Sequence, residues 1–316
     1  MTFLVTGCAG FIGANYVEFL LREYPFDLIV GVDKLTYAAN LDALSFFKKN
    51  NRFVFFKADI CDSKAMNDIF SKTNPDVVVN FAAESHVDRS IQDATEFIKT
   101  NVWGVQVLLD ASVRYGVKRF HQVSTDEVYG DISLYSSDKF TESSPLRPSS
   151  PYSASKAAAD LLALSYMRTH GIPVSISRST NNFGKYQHKE KLIPLIITKI
   201  MSNEDIPLYG DGSCVRDWIF VEDNCRAIDC IVRKGKCEIY NVGAGNLLSN
   251  LELANMIIDC FESKNSKIVF TPERKGADIK YAVDYDKIGH LGWRPIACFG
   301  DELRKMIAWY KAKVGK

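Results

Sequence analysis

Thr6-Gly7-Cys8-Ala9-Gly10-Phe11-Ile12-Gly13 follows a short apolar, β-branched run, Phe3–Thr6, and opens an amphipathic stretch, Phe11–Glu23. The run reads as a buried strand and the stretch as a helix. Each glycine at this spacing has a task. Gly7 permits a tight turn, Gly10 lets backbone approach a pyrophosphate, and Gly13 allows the helix to pack closely on the strand. The first turn of such a helix offers unpaired N–H groups and the positive end of its dipole to phosphates. A second strand, Leu28–Asp33, ends on an acid about twenty residues further on. A carboxylate there accepts hydrogen bonds from the adenosine ribose and repels a 2′-phosphate. The pattern predicts a dinucleotide site that favours NAD.

Outward from this loop, Arg52–Ala58, Val77–Phe81 and Arg119–Ser124 also read as buried strands, with helical segments at Ser63–Ser71 and Ala94–Tyr115 between them. Alternation of this kind predicts an α/β fold, a Rossmann-type doubly wound parallel sheet with right-handed crossovers. A helix over Ser153–His170 leads into a strand over Pro173–Ser177, and the polar segment Asp131–Ser150 reads as a loop. Beyond residue 179 the regularity fades. Helices are expected at Glu190–Met201, Leu248–Phe261 and Asp301–Lys313, among short strands and Gly-, Asp- and Arg-rich loops. This predicts a first domain over residues 1–178 and a smaller α/β domain over 179–316, some of whose segments return to the first.

In such sheets, sites form outside the carboxyl ends of the strands. Asp59-Ile60 follows the third strand and reads equally well as an adenine contact or, for Asp59, as a helix N-cap. Phe81-Ala82-Ala83 follows the fourth and is small enough for close backbone approach to a cofactor.

Composition narrows the function. The 316 residues are 47% hydrophobic and 24% charged, and 39 basic against 38 acidic side chains give a net charge of +1. Neither nucleic acid nor an anionic membrane finds an electrostatic grip on such a chain. The eight cysteines form no C-x-x-C pair and no zinc-ligand spacing, which predicts free thiols in a reducing cytoplasm and no metal. No apolar run reaches the ~18 residues of a membrane span.

Tyr152 and Lys156 stand four apart at the start of the helix after the long loop, on one face of it. An ammonium near a phenol favours the phenolate and lowers its pKa from ~10 toward working pH. Ser124-Thr125 ends the fifth strand, where a hydroxyl can bond the same substrate oxygen.

This Ser/Thr–Tyr–Lys set with its glycine loop resembles the extended short-chain dehydrogenase/reductases. The resemblance narrows to the dTDP-glucose 4,6-dehydratase family through Asp33-Lys34-Leu35-Thr36-Tyr37, Ala82 to Ser90, Ser124 to Gly130, and Pro151 to Ala157. Asn181-Asn182-Phe183-Gly184, Glu190 to Pro194 and Val215-Arg216-Asp217-Trp218 continue it. Such enzymes oxidise C4 of a bound hexose, eliminate water across C5–C6 and return the hydride to C6. The resemblance implies that Tyr152 takes the 4-hydroxyl proton as hydride passes from C4 to NAD, that Glu127 removes the C5 proton, and that Asp126, kept protonated, helps the 6-hydroxyl leave. Two carboxyls in one pocket can separate their pKa values in this way.

The same resemblance implies cofactor contacts at Gly7, Gly10, Phe11, Ile12, Gly13, Asp33, Lys34, Leu35, Thr36, Asp59, Ile60, Phe81, Ala82, Ala83, Thr100, Tyr152, Lys156 and Asn182. For the nucleotide-sugar substrate it implies Ser85, Thr125, Asn181, Lys191, Leu192, Pro207, Tyr209, Arg216, Asn250 and Arg274. Arg216 suits a diphosphate through its planar fork. Asp88 and Arg89 read as a structural ion pair. Where the family usually has Asp-Arg-Pro-Gly-His-Asp, this chain has Glu273-Arg274-Lys275-Gly276-Ala277-Asp278, so dTDP and UDP both stay open as the nucleotide. A 4-epimerase or a UDP-glucuronate decarboxylase shares Tyr152 and Lys156 but lacks the matched Asp-Glu pair. A non-catalytic NAD-binding regulator would need none of these residues. Ala94–Tyr115 and Ser153–His170 resemble the helices that pair between subunits, which implies a homodimer.

Overall fold

The computed structural model describes residues 1–262, 265–273 and 276–314. Strand and helix alternate as β1 (Thr2–Thr6), α1 (Phe11–Glu23), β2 (Leu28–Asp33), α2 (Leu41–Phe47), β3 (Phe53–Lys57), α3 (Ser63–Thr73) and β4 (Val77–Asn80). Then follow α4 (Val87–Gln92), α5 (Thr95–Ile98), α6 (Gly104–Arg114), β5 (Arg119–Thr125), α7 (Pro151–His170) and β6 (Val174–Ser179). The helical run expected over Ala94–Tyr115 contains one π turn, Lys99–Trp103, between α5 and α6.

Beyond β6 come β7 (Asn181–Phe183), α8 (Leu192–Met201), β8 (Ile206–Tyr209), β9 (Val215–Phe220), α9 (Val221–Lys234) and β10 (Ile239–Val242). The chain finishes with β11 (Leu247–Ser249), α10 (Asn250–Asp259), β12 (Ile268–Thr271), α11 (Asp286–Gly289) and α12 (Phe299–Val314).

Seven strands form one parallel sheet in the order β10-β6-β5-β4-β1-β2-β3. Strand order reverses between β1 and β4, so the crevice for a ligand opens there. β1 and β2 are buried on both faces because helices cover both. On one face Phe3, Val5, Tyr16, Leu20 and Phe47 pack with Cys225 and Ile228 of α9. On the other, Leu4, Val78 and Phe120 pack with Phe70 of α3, Leu108 of α6 and Ala159 of α7. After β9, therefore, the chain returns to the large sheet through α9 and β10.

The remaining elements, apart from α11, whose Ile288 packs with Tyr240 and Val242 of β10, build a second core of Ile193, Ile196, Leu208, Trp218, Leu253 and Leu303 around a three-stranded β11-β9-β7 sheet and the β12-β8 pair. Its strands are only three to six residues long. Among the described residues no helix is long and apolar enough to cross a membrane, and no group of His, Cys, Asp or Glu could hold a metal ion. All eight cysteines are unbridged.

Candidate active site

The pairing of Thr6 with Asn80 sets the loops after β1 and β4 side by side. Gly7 takes φ +63°, and a Cβ there would lie 2.7 Å from the Ala82 nitrogen. At Gly13 it would lie 2.2 Å from the Gly7 oxygen. Gly10 caps α1 in extended conformation without a side-chain bond, leaving the helix N-terminus open to the cleft. Asp33 Oδ2 accepts from the Ala9 N–H at 3.0 Å and Oδ1 from the Leu35 N–H at 2.7 Å.

One long cleft results. At one end it is lined by Gly7, Gly10, Asp33, Lys34, Thr36, Asp59, Ile60, Phe81, Ala82, Ala83 and Thr100. At the other it is lined by Phe11, Ile12, Gly13, Ser85, Thr125, Tyr152, Lys156 and Asn182. The buried Oδ1 of Asn182 and Oδ2 of Asp126 have no hydrogen-bond partner there. A Cβ-free cradle, an open helix N-terminus, a fixed ribose-side carboxylate and unpartnered polar atoms at the deep end fit a dinucleotide.

Leu35 packs its side chain against the core under β1 and α1, and its φ is +60°. One expectation changes in detail. Asp59 is not the N-cap of α3, since Asp62 caps that helix through the Lys64 and Ala65 N–H groups. Asp59 instead accepts from the Cys61 N–H and faces Lys34.

The deep end is built by β5 and α7. Ser150 and Ser153 form a reciprocal capping box with Pro151 at the first position, which starts α7 just before Tyr152. Lys156, one turn on and buried, donates from Nζ to the Val123 carbonyl oxygen at 2.6 Å. Burial pushes the Lys156 ammonium down to about 8. The expected lowering at Tyr152 does not occur in the chain by itself. Burial, with Glu127 and Asp126 nearby, holds this phenol well above its ordinary range, and only the Thr125 hydroxyl works the other way.

Thr125 closes β5 and caps a 3₁₀ turn, Asp126–Tyr129, by accepting from the Glu127 N–H at 3.3 Å. That cap turns both following carboxyls toward the cleft. Asp126 is 2% exposed. Its carboxyl is held well above the usual carboxylate range by burial first, then by Glu127. Glu127 sits where the cofactor cleft meets a second cavity, and it lines both.

The second cavity lies against β7, α8, β8 and β9. It takes in Asn181, Asn182, Lys191, Leu192, Pro207, Tyr209, Arg216 and Asn250, with Ala277 on its wall. Arg216 stacks its guanidinium 4.4 Å from the Tyr281 ring centre and donates to the Val215 and Asp278 carbonyl oxygens, each at 2.8 Å. Lys191 donates to the Ser85 carbonyl oxygen at 2.9 Å. Arg274 lies outside the described residues.

Arg89 pairs with Glu190 at 2.8 Å, beside the second cavity that Glu190 lines. Gln187 and Tyr281, which the sequence did not single out, also line the cavity, as does Trp218 from the Val215–Trp218 motif. Tyr281 had a faint signal, three residues after Asp278, to which it hydrogen-bonds.

The parallel sheet, the glycine cradle and the Thr–Tyr–Lys set define an NAD-dependent enzyme of the extended short-chain dehydrogenase/reductase class. Residues 4–306 match the family described as GDP-mannose 4,6 dehydratase, and the chain belongs to it. It is 45% identical to the dTDP-glucose 4,6-dehydratase of Haemophilus influenzae, covering 98% of each chain. It is 48% identical to the low-salt glycan biosynthesis protein Agl12 of Haloferax volcanii, again over 98% of each. Among solved structures, DesIV, a dTDP-glucose 4,6-dehydratase from Streptomyces venezuelae with NAD and TYD bound, superimposes with a TM-score of 0.95 at 44% identity, covering 100% of this chain and 98% of that one.

Proposed function

We propose that this chain is a dTDP-glucose 4,6-dehydratase, converting dTDP-glucose to its 4-keto-6-deoxy derivative and water with NAD as resident cofactor. The observation that carries the reading is the Asp126-Glu127 pair. A buried carboxyl, held well above the usual carboxylate range, stands next to a second carboxyl at the junction of the cofactor cleft and the polar cavity.

The cleft from Gly7 and Asp33 to Tyr152 and Asn182 would hold NAD, which would supply a hydride acceptor toward C4, a donor toward C6 and a positive ring that would favour a nearby phenolate. Tyr152 removes the proton of the 4-hydroxyl, which Thr125 orients, while the Lys156 ammonium favours the phenolate. With a ketone at C4 the C5–H is acidic. Glu127 takes that proton, and Asp126 gives its own to the departing 6-hydroxyl, which leaves as water. Glu127 returns a proton to C5 as C6 is reduced. Arg216 serves the diphosphate, and Ser85, Asn181, Lys191, Leu192, Pro207, Tyr209 and Asn250 line the path of sugar and base. Neither an epimerase nor a silent regulator uses the acid pair, and a C6 carboxylate would be repelled by it.

The reading assigns residues 1–178 to cofactor binding and 179–316 mainly to the nucleotide sugar. It places the enzyme in the cytoplasm, with its thiols reduced. It also pairs two chains through α7 and the run from α5 to α6, which expose Leu161, Ile98 and Trp103. A monomer in sedimentation at micromolar concentration would rule that dimer out. Proton NMR of dTDP-glucose with the protein tests the activity. A new C6 methyl signal is expected, and an unchanged spectrum would reject the reading.

A further inference from the structure

Asp33 selects against a 2′-phosphate, yet the residue after it is a cation. A free ammonium at Lys34 would attract the phosphate that Asp33 repels. Lys34 is not free. Its Nζ lies 3.6 Å from Glu84 Oε1 and 4.0 Å from Asp59 Oδ2, and it donates to Thr100 Oγ1 at 3.4 Å.

These partners are themselves fixed. The Glu84 N–H donates to Asn101 Oδ1 at 2.9 Å, and the Glu84 carbonyl oxygen accepts from Asn101 Nδ2 at 3.0 Å. Asn101 also donates to Ser155 Oγ at 2.8 Å. Thr100 and Asn101 are consecutive, both buried, and both belong to the π turn between α5 and α6. Such turns recur at functional sites because the extra residue re-aims its neighbours. Here one neighbour holds Lys34 and the other holds the residue that pairs with it.

We propose that Glu84 is a specificity-determining residue: together with Asp59 and Thr100 it occupies the Lys34 ammonium, so the ribose end of the cleft takes NAD and excludes a 2′-phosphate. This rests on the dinucleotide reading of the cleft. Two carboxylates, Asp59 and Glu84, then face one ammonium while Asp33 is held by the Ala9 and Leu35 N–H groups, so a phosphate meets net negative charge.

The test is calorimetric binding of NAD and NADP to nucleotide-free protein, in the parent chain, Glu84→Gln, Lys34→Ala and the double variant. Glu84→Gln should lower the ratio of NADP to NAD dissociation constants about tenfold, the effect of releasing one charge beside a phosphate in a partly solvated site. In the Lys34→Ala background the same change should move the ratio by less than about threefold, since there is no ammonium to release. An unchanged ratio, or an equal drop without Lys34, overturns the inference. If Glu84→Gln fails to give a cooperative thermal transition, Asp59→Asn carries the same cycle. Failure of the parent chain to bind either nucleotide would overturn the dinucleotide reading itself.

Discussion

Lys156 reaches past Tyr152, one turn away on α7, to donate to the Val123 carbonyl oxygen at 2.6 Å. Its charge is thus pinned to the end of β5, on the wall of the cleft, by a backbone group that cannot titrate. At the phenol of the chain by itself, burial, Glu127 and Asp126 are what count.

Burial holds Lys156 at about 8 against an ordinary 10.5. The ammonium is therefore lost as pH rises through about 8, and the alkaline limb of kcat/KM should fall there. Lys156→Arg keeps a charge at every working pH and should remove that limb, at a lower rate throughout. For stability the sign is opposite. Between about 8 and 10.5 the unfolded chain binds more protons than the native one, so this group's contribution rises with pH across that window. A pH–rate profile of both proteins checks the first claim.

The acid pair predicts two different defects. Glu127→Gln removes the base, so product formation should fall by about 10²–10⁴, and C5–H exchange into deuterated water should stop. Asp126→Asn removes the acid but leaves the base. Product formation should fall in the same range while C5–H exchange continues. Exchange and turnover measured together separate the two roles.

Beneath Lys156, Asp160 accepts from Arg178 Nε at 2.9 Å with both side chains fully enclosed, and Arg178 lies 4.8 Å from the Tyr129 ring centre. Asp160→Ala strands a buried cation and should cost roughly 3–5 kcal/mol in denaturant unfolding. Replacing both partners by apolar residues of similar size should restore most of that loss.

Gly13 tolerates no side chain. A Cβ would stand 2.2 Å from a backbone oxygen that also anchors the turn through the Gly10 N–H. Gly13→Ala should therefore open the cradle and weaken NAD binding by more than about tenfold, with a lower melting temperature, as calorimetry would register.

Local signals carried the first half of the chain. The glycine loop, Asp33 and five strands are written in contiguous residues, with boundaries within about two positions, although β3, read as buried, is the sheet's edge and buries only Phe53. What escaped depends on distant partners. Helix α9 is different: Val221, Cys225, Ile228 and Val232 recur at helical spacing and pack with α1, so its amphipathic pattern is local, though charged residues crowd its other face. The π turn at Lys99–Trp103 leaves the helical pattern almost unchanged, and its purpose shows only when Glu84 and Lys34 arrive. The four-residue spacing of Tyr152 and Lys156 placed both in the site. It did not reveal that the ammonium bonds to Val123, nor that burial and two acids hold the phenol up.

The central claim is that one hydride leaves C4 and returns to C6 of the same sugar while Asp126 and Glu127 expel water between the two transfers. Mass spectrometry of dTDP-glucose carrying deuterium at C4, incubated with the protein, tests it most directly. The account predicts loss of one unlabelled water with the deuterium kept and found at C6. An unchanged mass, or loss of the deuterium to solvent, would contradict it.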